Sequence, residues 1–169
     1  MSDTMHQSDS QYGEIELRNI TKEFGEESSV STVVEDCSFV VERGKFTVLI
    51  GPSGCGKTTL IDMMAGYEKP TSGEIKLDGE PIAGSSSERL VVFQETALFP
   101  WMTTLDNIMY GPRVQRERSE KDIEKEAIEL LEIVGLREFW NRYPIQLSGG
   151  MQRRAELARA LINHPKVLL

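Results

Sequence analysis

The sequence predicts an α/β fold around a mostly parallel core sheet, and three observations carry that prediction. Strand-type and helix-type periodicities alternate along the chain, as they do when crossover helices cover the faces of a sheet. Residues 46–50, FTVLI, form a continuous apolar run of β-formers, the pattern of a strand buried on both faces. A glycine-rich turn follows directly and passes into helical periodicity at residues 58–65, so strand, loop and helix succeed one another without a linker.

The remaining elements follow in order. Residues 1–13 are polar and acidic and read as a loose tail, with one domain expected over 14–169. Ile15 and Leu17 alternate with polar residues in a half-buried strand at 14–20, and Cys37, Phe39 and Val41 mark a second strand after a polar loop at 25–31. Residues 74–77 followed by Asp78-Gly79 read as a strand and tight turn, 84–87 as a flexible loop, and 90–93 as a further β-rich run. The plainest helix runs from Ser119, a good N-cap, to Val134, with Ile123, Ala127, Leu130, Leu131 and Val134 on one face and Gly135 as its stop. A second begins after Gly150, with Leu157, Ala158, Leu161 and Ile162 as its apolar side and Pro165 beyond its end.

Composition narrows the classes. Lysine and arginine total 19 against 27 acids, a net charge of −8, which argues against a general binder of nucleic acid because such a protein needs a basic face. The two cysteines, Cys37 and Cys55, are too far apart for a CxxC motif, and their spacing leaves a disulfide open. No basic-then-apolar leader opens the chain, and no window approaches the roughly 18–20 apolar residues of a membrane span, so the expected compartment is the cytosol.

Gly51-Pro52-Ser53-Gly54-Cys55-Gly56-Lys57-Thr58 matches G-x-x-x-x-G-K-[ST]. Small residues let the backbone curl so that several N–H groups face one anion, and the helix that follows adds its positive end. Lys57 is placed to reach the β- and γ-phosphates, the Thr58 hydroxyl to ligate Mg²⁺, and Ser53 and Thr59 to add hydrogen bonds. A bare glycine turn that happens to hold a lysine is the rival reading. The strand before the motif and the helix after it favour nucleotide binding.

Leu147-Ser148-Gly149-Gly150-Met151-Gln152, followed by RRAELARAL, reads on physics alone as an ordinary serine N-cap or as a second anion site at an open helix start. The stretch resembles the signature motif of ATP-binding cassette (ABC) proteins, and its spacing after the phosphate loop is similar to that family's. The resemblance runs from about residue 14 onward. It implies the P-loop NTPase fold of an ABC ATPase, in which an antiparallel β subdomain and a helical subdomain at about 95–155, carrying the signature, flank the core sheet.

The resemblance further implies ATP and Mg²⁺ as ligands. Gly51, Ser53, Gly54, Cys55, Gly56, Lys57, Thr58 and Thr59 would cradle the phosphates, with Thr58 and Gln94 at the metal and Lys57 and Gln94 as the catalytic residues. Phe24 stands where an aromatic stacks on adenine, with core packing as its alternative. Ser148, Gly149 and Gly150 would contact the ATP of a second ATP-binding subunit, so that two cassettes close head to tail. Residues 95–106, ETALFPWMTTLD, resemble importers of nitrate, sulfonate and taurine. That likeness implies import of such an anion, a peripheral place on the cytoplasmic side of the cell membrane, and transmembrane permease subunits docking near Leu98, Phe99, Trp101 and Met102. A solute-binding protein would act indirectly. Plain core packing is the other reading of those four side chains. A non-transport ABC protein of DNA repair or translation, and a non-catalytic nucleotide-binding remnant, are the alternatives for the whole.

In the family, an apolar strand after the signature helix ends in an Asp-Glu pair, and a histidine follows later. Val167-Leu168-Leu169 resembles that strand, and neither the pair nor the histidine follows it here. The expectation is a domain incomplete at its C-terminus, able to bind nucleotide and unable to hydrolyse it.

Overall fold

The computed structural model describes residues 11–25, 29–116 and 118–169. Most of the expected tail lies outside the described residues, as do 26–28 of the expected loop at 25–31. Two units emerge, residues 1–90 with Leu169 and residues 91–168.

In the first unit β1 (Ile15–Phe24) lies between β2 (Ser31–Val41) and β3 (Ser72–Leu77), with β4 (Glu80–Pro81) at the edge; all three pairings are antiparallel. Strict alternation would turn Ile20 outward. A bulge after Leu17 shifts the register, and Ile15, Leu17 and Ile20 are all fully buried. Asn19 makes the shift with φ 48°, a left-handed conformation that asparagine tolerates, and its side-chain amide donates to Asp36 Oδ1 at 2.8 Å. The β3–β4 turn has positive φ at both Asp78 and Gly79, which matches the twist of a two-residue hairpin. α1 (Lys57–Ala65) buries Met63, Met64 and Ala65.

Two strand expectations fail in this region. Residues 46–50 form no strand, and Phe46 and Ile50 are 94% and 91% exposed. A continuous apolar run signals a strand only where neighbours exist to pair with it, and no described segment forms a ladder with this one. The run expected at 90–93 is reduced to β5 (Arg89–Leu90).

The second unit is built from α2 (Thr104–Gln115), α3 (Glu120–Ile133) and α4 (Gly149–Leu161), followed by β6 (Val167–Leu168). Its core joins Leu98, Ile108, Met109, Ile123, Ala127, Leu131, Leu136, Ala155, Ala158 and Ile162. Ser119 caps α3 as expected, accepting from the Asp122 N–H at 3.2 Å, and Gly135 follows the helix with φ 68°. α4 meets expectation in burying Ala158 and Ile162 and departs from it in the rest of its buried face. Ala155, Glu156, Ala158 and Ile162 point inward, Leu157 is half-buried, and Leu161 is 43% exposed. Two alanines let the helices approach closely, so the buried stripe follows the small residues rather than the leucines. No helix among the described residues is long and apolar enough to cross a membrane.

Candidate functional site

The turn that precedes α1 is shaped by two glycines with left-handed φ, Gly54 at 81° and Gly56 at 85°. A Cβ at Gly56 would lie 2.7 Å from the Val33 carbonyl oxygen and 2.9 Å from Val34 Cγ2, so this position needs glycine for space as well as for φ. Gly56 is the N-cap of α1 and offers no side-chain cap. The first intrahelical bond beyond it is Leu60 N–H to Gly56 O at 2.9 Å. The N–H groups of Lys57, Thr58 and Thr59 therefore lie in the uncapped first turn, with no acidic residue in that turn.

Lys57 folds over this turn. Its ammonium donates to Gly51 O at 2.8 Å and Pro52 O at 2.6 Å, and lies 3.6 Å from Cys55 Sγ. Neutral carbonyls hold the ammonium in place without cancelling its charge. A full positive charge, a helix N-terminus and free N–H groups thus share one loop, and that donor set fits a polyanion. Ser53, Cys55 and Thr58 are exposed, while Thr59 is half-buried. Thr58 and Gln94 belong to different units. The Thr58 hydroxyl is a hard neutral donor, of the kind that suits Mg²⁺ when phosphate oxygens complete its shell. Among the described residues, no group of three or more His, Cys, Asp or Glu side chains gathers as a metal site.

Phe24 ends β1 and is 43% exposed, which does not fit the core-packing alternative. Lys22 Nζ lies 4.7 Å from its ring centroid and also bonds Glu68 Oε1 at 2.7 Å and Lys69 O at 2.9 Å. The hydrogen bond from Lys22 holds the Glu68 carboxyl below its ordinary value.

In the second unit Ser148 caps α4, its Oγ accepting from Met151 N–H at 3.3 Å. Gly149 and Gly150 form the exposed first turn, and a Cβ on either would meet nothing within 4 Å. Gln94 is exposed in a bend. Of the four side chains expected at a docking surface, Leu98 belongs to the core at 6% exposure, Phe99 and Met102 are half-buried, and Trp101 is 69% exposed. Phe99 stacks on Trp101 with ring centroids 5.4 Å apart and meets the Tyr110 ring edge-on at 4.8 Å.

Sequence reasoning missed Asn107, Arg153, Glu156 and Arg159. Asn107 is fully buried, accepts the Phe99 N–H at 2.7 Å, and donates to the carbonyls of Phe99, Met102 and Thr103. The three α4 residues hold the backbone of the segment around Gln94. The only sequence signal was their spacing, charged residues at i, i+3 and i+6 of a helix that must bury a face.

A family model described as "ABC transporter" matches residues 34–169. The spermidine/putrescine import ATP-binding protein PotA of Aggregatibacter actinomycetemcomitans is 45% identical, over 92% of this chain and 41% of its own length. The Fe(3+) ions import ATP-binding protein FbpC of Mannheimia succiniciproducens is 47% identical, over 90% of this chain and 43% of its own. The chain thus spans less than half the length of these curated relatives. Among solved structures, the ATP-binding cassette MJ0796 in a dimeric post-hydrolysis state bound to ADP and Pi superposes with a TM-score of 0.78 at 30% identity, covering 91% of this chain and 72% of that one.

Proposed function

Because this chain belongs to the ABC transporter family, we propose that it is an ATP-binding region of the ATPase subunit of a membrane importer. The observation that supports this most is the loop at 51–58, where the Lys57 ammonium and an uncapped helix N-terminus converge on one exposed turn. In this reading the N–H groups of 54–59 and Lys57 hold the phosphates, Ser53 and Thr59 add hydroxyl contacts, and Phe24 offers its exposed ring to the adenine. Mg²⁺, when bound, screens the phosphate charge, with Thr58 and Gln94 as its protein donors. Ser148, Gly149 and Gly150 present a second open helix start to the nucleotide of a partner cassette. The dimeric state of the similar cassette MJ0796 supports that arrangement.

Hydrolysis also requires a carboxylate that polarises the attacking water, and none of the residues assigned here takes that part. The proposal for this chain is ATP binding, with Lys57 and Gln94 as the residues it would bring to hydrolysis. Phe99, Trp101 and Met102 form the proposed contact with the permease subunits on the cytoplasmic side of the membrane; Leu98, a core residue, takes no part in it. A solute-binding protein would act through those permeases. Import is supported by the relatives named above. A nitrate-, sulfonate- or taurine-like solute has only the likeness of residues 95–106 behind it, while those relatives are named for polyamines and ferric ion.

Thermal melting with and without Mg-ATP tests it. At a ligand concentration 100-fold above Kd, binding to the native state contributes about 2.7 kcal/mol. For a chain of this size that is a rise in Tm of roughly 5–10 °C. Lys57→Ala should abolish the rise while melting normally without nucleotide. An equal rise in wild type and variant would contradict the assignment of the loop.

A further inference from the structure

Three side chains on one side of α4 hold the segment 93–99, by its backbone at Phe93 and Ala97 and by the Phe99 ring. Glu156, only 7% exposed, accepts the Ala97 N–H and pairs with Arg153 at 3.2 Å. Arg153 donates to the Phe93 carbonyl. Arg159 donates to the Ala97 carbonyl at 2.6 Å, and its guanidinium lies 4.3 Å from the Phe99 ring centroid. Both polar groups of Ala97 are thus taken by one helix, and Gln94 lies between the two anchored carbonyls at 93 and 97. A buried carboxylate is costly to desolvate, and a methionine would fill similar volume without that cost, so packing alone does not account for Glu156. What the carboxylate supplies, and methionine cannot, is an acceptor for a main-chain N–H and a counter-charge for Arg153.

The same helix begins at Ser148, Gly149 and Gly150. The geometry points to Arg153, Glu156 and Arg159 as positioning residues that make residues 93–99 and α4 one rigid piece. They fix the backbone on either side of Gln94, and so its place relative to α4. None of the three has a part in holding nucleotide; they act through the backbone they grip. The inference rests on the roles proposed above for Gln94 and for Ser148, Gly149 and Gly150.

Hydrogen exchange on the whole chain, read by mass spectrometry with and without Mg-ATP, tests it. Glu156→Met should raise exchange in 94–99 about tenfold, because its hydrogen-bond acceptor is gone, while α3 and the interior of α4 exchange as in wild type. Glu156→Gln keeps an acceptor oxygen and should restore wild-type protection to within about twofold. Wild-type protection of 94–99 in Glu156→Met, or equal exposure in the Gln and Met variants, would overturn the inference. Should the Met variant not fold, Arg159→Ala decides: faster exchange in 94–99 is expected, and no change overturns the inference. Exchange at 51–58 reports separately on nucleotide. A wild type in which Mg-ATP protects 51–58 keeps the functional reading whatever the Glu156 variants do. A wild type with no such response loses that reading and, with it, the role inferred for the clamp.

Discussion

Asn107 is the residue whose replacement should cost most for its size. It is fully buried near the start of α2, with its Oδ1 2.7 Å from the Phe99 N–H and its Nδ2 at 3.0–3.2 Å from the carbonyls of Thr103, Phe99 and Met102. Asn107→Ala leaves the Phe99 N–H without its acceptor, at about 1–3 kcal/mol, and removes donors from three carbonyls, for a further loss of about 1 kcal/mol. The expected total is about 3 kcal/mol. Asn107→Asp is nearly isosteric yet should be worse at neutral pH, since it keeps the acceptor but turns a second oxygen toward three carbonyl oxygens. Burial and the facing carbonyl oxygens together outweigh the one N–H bond and raise the folded pKa of the new carboxyl above its unfolded value of about 3.9. The native state then binds more protons than the unfolded state, so stability falls as pH rises through that window and recovers on acidification. Both tryptophans, Trp101 and Trp140, lie in the second unit, so their fluorescence in urea melts reports this unit alone. An alanine variant within 1 kcal/mol of wild type, or an aspartate variant as stable at pH 7 as at pH 5, would refute the reasoning.

Further expectations follow from the same geometry. Leu131→Ala, at a fully buried position of the helical core, should lose about 2–5 kcal/mol in the same urea melts. Gly54→Ala and Gly56→Ala share a left-handed φ and its strain of about 1–2 kcal/mol. Only Gly56→Ala meets backbone and side-chain atoms below 3 Å, so it should lower Tm further; equal losses would argue against close approach of this turn to β2. Hydrogen bonds from Thr103 and then Arg113 hold the Asp106 carboxyl below its ordinary range. A depressed folded value adds stability above the unfolded pKa of about 3.9, which is lost as pH falls through the folded one. Asp106→Asn should therefore flatten the dependence of Tm on pH below about pH 4.

What the sequence discloses depends on whether the signal is local. α3 was legible because its cap, its apolar period and its stop all sit within the helix, at Ser119, Ile123 to Leu131, and Gly135. The phosphate loop was legible for the same reason: its spacing is its geometry. Residues 46–50 were misread because a strand is a property of two segments, and composition speaks for only one. The buried stripe of α4 was legible only in part: Ala158 and Ile162 are buried as expected, but leucines carry the hydrophobic signal, whereas close packing of helices selects Ala155 over Leu161. Asn107 and Glu156 were invisible for a third reason. A polar residue in a helix reads as solvated, and only the main-chain groups of 97–103 that come to face them turn these two into buried anchors.

The central claim is that the turn at 51–58 holds the phosphates of ATP. Equilibrium dialysis of the purified chain against labelled Mg-ATP tests it most directly, with Lys57→Ala run alongside. Saturable binding of one nucleotide per chain, lost in the variant, is the predicted result. Binding that survives in Lys57→Ala, or none in a wild-type chain shown to be folded by its tryptophan fluorescence, would contradict the account.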